Sequence, residues 1–199
     1  MTRYISMSAK AKIVAVTSRA QRLISRRVQA RQPTHAERDE FQQILNDSVD
    51  EGPIQTFLAE HASFLIRLLP PGAKVLVYDR PKLGSEYIPD FLISVTNSQG
   101  PQWTCIELES PTRKPLTKLG QMSAKLAHGI AQINDWRDWL RDNIAYARGE
   151  LDLKGISGDL AACIIIGRRA AMNNHQQKRY AALNRMGFTV LSYDRLLDI

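Results

Sequence analysis

The sequence predicts an α/β fold, a mixed central sheet flanked by helices and preceded by an N-terminal helical extension. Three observations carry this. Apolar residues recur at helical spacing before residue 70 and again after residue 123. Between them lie three short runs rich in β-branched and aromatic residues, punctuated by turn chemistry. Two further apolar runs then alternate with helical segments, giving the order helix, three strands, long helix, strand, helix, strand.

Each element has its own signal. Residues 11–30 and His35 to Asn46 carry mixed helical periodicity, separated by Gln32-Pro33-Thr34, where Thr34 can cap the second segment. Residues 1–49 are therefore expected to form the helical extension and residues 50–199 the main domain. A helix is expected from Glu51 to Leu69, with Ile54, Phe57, Leu58, Phe64 and Leu65 on its apolar positions and Pro53 tolerated in its first turn. Pro70-Pro71-Gly72 stops it. Strands follow at Lys74 to Tyr78, Ile88 to Val95 and Trp103 to Leu108, with turns at Gly84-Ser85 and from Asn97 to Pro101. A long helix from Ser123 to Ala147 leads to a strand from Leu160 to Gly167, a helix from Asn173 to Met186, a strand from Phe188 to Tyr193 and a turn at Asp194 to Leu197.

Composition excludes several classes. No apolar run approaches the roughly 20 residues that span a bilayer, so no membrane association is expected. Cys105 and Cys163 each sit inside an apolar run, where a buried thiol is commoner than a disulfide or a metal ligand, and a reducing cytoplasm is the expected compartment. The net charge of +7 permits nucleic-acid binding. Much of the excess precedes residue 40, in Lys10, Lys12, Arg19, Arg22, Arg26, Arg27 and Arg31, which suit either a solvated helix face or a phosphate-contacting one.

The chemistry concentrates in WTCIELESPTRK. Side chains alternate across a strand, so Glu107 and Glu109 share a face with Cys105, while Ile106 and Leu108 point to the other. If the preceding strand pairs with this one as a hairpin, Asp90 comes close to Glu107. Carboxylates so gathered repel and raise one another's pKa unless a cation shares them. Hard oxygen ligands suit Mg²⁺ or Mn²⁺, which polarises a phosphoryl oxygen and lowers the pKa of bound water. The competing reading makes the two glutamates the solvated face of an edge strand.

Ile88-Pro89-Asp90, a gap of 16 residues, then Glu107-Leu108-Glu109 resembles the PD-(D/E)XK nuclease signature in spacing and in its strand-turn-strand setting. With the Glu51 to Leu58 segment, AHGIAQINDWRDWL, CIIIGRR and VLSYDRLL, the chain from about residue 50 onward resembles the C-terminal nuclease domain of the Shedu anti-phage family. The resemblance implies a restriction-endonuclease-like core, cleavage of DNA with a divalent metal, phage defence and assembly as a homo-oligomer. It makes Asp90 and Glu107 metal ligands and brings Glu51 near the metal site. The usual signature ends in lysine, whose ammonium stabilises developing negative charge, but Glu109 stands there. Glu109 would then be a third ligand, with Arg113, Lys114 or Lys125 supplying the cation, or the domain would bind nucleic acid or mediate assembly without efficient cleavage.

Other residues surround this core. Lys125, His128, Gln132 and Trp136 recur at three- and four-residue spacing along one helix stripe. Gln132 and Trp136 resemble the QxxxY element of some nucleases in that superfamily, with Gln132 the expected site residue and Trp136 suited to packing. His128 reads as a structural histidine or a general base. Arg168 and Arg169 follow an apolar strand and Gly167, where their side chains would either hold phosphates, together with Lys114 and Lys125, or form surface ion pairs.

Overall fold

A computed structural model describes residues 23, 25–183 and 188–198. Its strands are β1 (Arg26–Arg27), β2 (Lys74–Asp79), β3 (Phe91–Asn97), β4 (Gly100–Leu108), β5 (Ala161–Ile165) and β6 (Thr189–Leu191). They form one sheet in the order β1-β2-β3-β4-β5-β6. β1 to β4 run antiparallel to their neighbours, whereas β4, β5 and β6 are mutually parallel. The mixed sheet is the expected one. The expected helix over residues 11–30 lies largely outside the described residues, and its described end is not helical: Arg26 and Arg27 pair with Val77 and Leu76.

Seven α-helices cover the sheet among the described residues: α1 (His35–Asp47), α2 (Gly52–Glu60), α3 (Ser63–Ile66), α4 (Ala124–Asp142), α5 (Ile144–Gly149), α6 (Asn174–Leu183) and α7 (Asp194–Leu197). Because side chains alternate across each strand, the core divides into two clusters. Val77, Ile93, Ile106 and Ile165 meet α1, α2, α3 and Leu196 of α7 on one face. Leu92, Cys105, Ile164 and Val190 meet Leu126, Ile133, Trp136 and Leu140 of α4 on the other. Helices on both faces explain why β5 reads as a continuous apolar run. No helix among the described residues is long and apolar enough to cross a membrane.

Two expected helices are broken. The 51–69 segment ends α2 at His61, with φ −112° and ψ 48°, where the ring meets Glu37 at 3.0 Å. The long helix breaks at Asn143, whose side-chain amide donates to the Trp139 carbonyl. The turn between β3 and β4 is also tighter than expected, with Asn97 paired to Gly100 and Pro101 inside the strand opposite Thr96.

Thr34 caps α1 as expected. Its hydroxyl accepts from the Glu37 N–H at 3.2 Å, and the Glu37 carboxylate accepts from the Thr34 N–H at 2.8 Å. This helix is joined to the main core, because Phe41 stacks on Phe57 at 5.2 Å and is fully buried. Thr34→Ala should cost about 1 kcal/mol, a fall of about 3 °C in Tm for a chain of this size. An unchanged melting curve would show that the cap contributes nothing.

Candidate active site

β4 is central, not an edge, so Glu107 within it and Glu109 just past its end are buried, 7% and 4% exposed. That removes the reading in which they form a solvated edge-strand face. Phe91 pairs with Ile106, so Asp90, one residue before β3, stands beside Glu107 as the hairpin register requires. Asp90 Oδ2 accepts the Leu108 N–H at 2.8 Å, which locks it across the end of the hairpin.

Electrostatics separates the three carboxyls into two groups. Burial pushes Glu107 up to about 9, with the Asp90 and Glu109 charges acting in the same direction. Burial pushes Asp90 up to about 6 against the opposing Leu108 N–H, and the Glu51 charge adds to the rise. Glu107 Oε2 is buried without a hydrogen-bond partner, an expensive arrangement for a carboxylate. Glu109 faces α4 instead. Its Oε2 is 3.7 Å from Lys125 Nζ, and a Cβ placed at Gly129 would stand 3.7 Å from its Oε1. Burial raises Glu109 too, with Lys125 and His128 opposing. Among the described residues, no three His, Cys, Asp or Glu side chains are grouped as a ready-made metal cage.

These directions have a pH consequence. A carboxyl whose folded pKa is raised keeps its proton in the folded state after the unfolded chain has released it, so its contribution to stability is greatest at low pH and declines as pH rises. For Glu107 the window runs from 4.5 to about 9. The metal-free protein should therefore lose stability between those limits, at about 1.4 kcal/mol per pH unit for each retained proton. Glu107→Gln should flatten the slope. Thermal melts in chelator at several pH values test this, and equal slopes for the two proteins would refute it.

The remaining expected residues fall around this pair. Glu51 occupies the N-cap position of α2 without a side-chain capping hydrogen bond, half-buried, and its charge acts on both Asp90 and Glu109. Gln132 is half-buried on α4, beyond Gly129, while Lys125 and His128 are exposed and Trp136 is core. Lys114 is exposed on the loop after β4. That loop is held by Ser110 Oγ donating to the Val49 carbonyl at 2.8 Å and by close approach to Gly167. Gly167 has φ +67°, and a Cβ there would meet the Arg113 carbonyl oxygen at 2.2 Å, so only glycine fits. Arg168 pairs with Asp194 at 3.0 Å and reaches Asn46, while Arg169 pairs with Asp198. Both guanidinium charges are thus already compensated within the chain.

Two contributors escaped sequence reasoning. Arg80 follows β2 with φ +42°, and its charge favours the ionised form of Asp90. Tyr193, fully buried, donates its hydroxyl to the Glu109 carbonyl at 2.9 Å and braces the end of β4. Pro81 favours extended backbone at Arg80, so the positive φ there carries no local signal. Nothing local signals Tyr193.

No curated protein matches the chain. The family model described as Shedu protein SduA, C-terminal, matches residues 48–197, which include Glu51, the carboxylate strand, α4 and Tyr193. The chain belongs to that Shedu family.

Proposed function

We propose that the protein is a divalent-metal-dependent DNA endonuclease of restriction-endonuclease type, acting in the cytoplasm as a homo-oligomer in anti-phage defence. Family membership supports the defence role. The observation that carries the enzymatic reading is half-buried Asp90 set beside buried Glu107, whose Oε2 has no hydrogen-bond partner. Two hard oxygen donors gathered at the end of the β3–β4 hairpin repel once both are ionised, and a cation between them offsets that cost.

The donor set fits Mg²⁺ or Mn²⁺, with Asp90 and Glu107 as the residues that would hold it. Such an ion supplies a polarised phosphoryl oxygen and a bound water of lowered pKa. Glu109 is better suited to anchoring Lys125 than to completing a ligand set, because its carboxylate turns toward α4. Lys125 then provides, from a helix, the ammonium that the signature usually takes from the strand. It would face charge developing on the phosphate. Glu51 and Gln132 would support this arrangement by orienting ligands or water, and Lys114 would attract the DNA backbone.

The replacement of the strand lysine by Glu109 favours a second reading, a weakened nuclease-fold module that binds nucleic acid or mediates assembly. Purified protein incubated with plasmid, linear and single-stranded DNA in Mg²⁺, Mn²⁺ or chelator separates the two. Cleavage of DNA that requires metal supports the enzyme. Its absence across all substrates and both metals leaves the second reading.

A further inference from the structure

The loop between the carboxylate strand and α4 is a built hairpin. Leu116 and Met122 form an antiparallel bridge, the Thr117 N–H donates to the Gln121 carbonyl at 2.8 Å, and the Ser123 N–H donates to the Pro115 carbonyl at 2.9 Å. The tip closes through Gly120, with φ +74°, whose N–H donates to the Thr117 carbonyl. Its base is fixed in the protein. Leu116 is buried, and the buried Gln176 amide of α6 donates to the Thr117 carbonyl at 3.1 Å. The stem of Arg179 lies across Gly120, where a Cβ would come within 2.7 Å of its Cδ.

What this anchored hairpin presents is unusual. Leu119 at the tip is 78% exposed, and Met122 beside it is 39% exposed. A single exposed leucine needs no explanation, but this one follows exposed Lys118 and precedes Gly120, against which exposed Arg179 packs, and exposed Lys114 stands just before the hairpin. The two segments that meet here carry no acidic residue, from Ser110 to Asn134 and from Leu160 to Tyr193. The protein's acids are thus kept off the backbone segments that form this corner. A rigid apolar tip surrounded by positive charge matches how proteins insert a wedge between base steps while holding the flanking phosphates.

We propose that the Pro115 to Ser123 hairpin is a finger that enters duplex DNA, with Leu119 unstacking a base step and Lys118 and Arg179 contacting the adjacent phosphates. The proposal rests on the nucleic-acid reading of the neighbouring site. The finger follows Glu109 on one side and leads directly into Lys125's helix on the other. Both ends of the hairpin thus lead, in the chain, into residues of the proposed site.

The test uses the full chain in chelator with a duplex carrying internal 2-aminopurine, whose emission rises when neighbouring bases unstack. Wild type should bind with a several-fold rise. Leu119→Ala should bind more weakly and lose the rise, and Leu119→Met should retain it. Lys118→Ala should keep the rise and reduce the salt slope of binding by about 0.9. The idea is overturned if wild type fails to bind duplex or binds without unstacking it. It is equally overturned if Leu119→Ala unstacks normally, or changes only the oligomer mass measured by light scattering, which would make the tip a protein contact. No cleavage is read, so unstacking by a protein that never cuts with metal keeps the finger and ends the endonuclease reading. Metal-dependent cutting without unstacking does the reverse.

Discussion

Glu107→Gln is expected to reduce metal-dependent DNA cleavage by at least about a hundredfold while leaving the protein folded. Glutamine keeps the volume of the buried side chain, so no cavity opens in β4 or against α4. It stays neutral without the proton that burial and the neighbouring charges make Glu107 retain up to about 9, so the metal-free variant should be more stable than wild type near pH 8. The same change thus improves the empty protein and disables the loaded one. Few structural substitutions behave this way. Mn²⁺ titrated against Tm in wild type and variant, beside plasmid cleavage, provides the readout. A variant that cuts at the wild-type rate would show that Glu107 holds nothing the reaction needs.

The second large effect concerns Lys125. Lys125→Met should lower kcat by about a hundredfold to a thousandfold, the range for losing one group that stabilises transition-state charge. KM for DNA should change little, because the ammonium is tethered at Glu109 rather than spread along the backbone. Glu109→Lys in the Lys125→Met background should restore much of the activity by returning the ammonium to the strand. Glu109→Gln alone should cost less than Lys125→Met, since it loosens the lysine without removing it. A rise in KM at constant kcat for Lys125→Met would assign the residue to phosphate binding instead. No rescue by Glu109→Lys would break the link between the two positions.

The strand alternation and hairpin register that bring Asp90 to Glu107 are local properties, and they were legible in residues 88–109. Thr34 was legible for the same reason, since a capping box spans a single turn. The orientation of Glu109 was not. It depends on how α4 is rotated against the sheet, and that is decided by the packing of Leu126, Ile133, Trp136 and Leu140. Ion pairing of Arg168 and Arg169 was one of two readings open in the sequence, but the partners Asp194 and Asp198 were not legible, because they arrive only when α7 folds back beside the end of β5. The helix breaks at His61 and Asn143 follow side-chain contacts to a tertiary neighbour and to the preceding turn, so neither needed a proline to mark it.

The short outer strands carry a consequence for assembly. Among the described residues, β1 has two residues and β6 three, so the sheet margins expose few unpaired main-chain groups. Two copies joined through such margins would gain few ladder hydrogen bonds, and growth into a continuous ribbon is disfavoured. The homo-oligomer proposed above would accordingly form through helical and loop surfaces, which leaves each copy's carboxylate strand enclosed by its own neighbours β3 and β5.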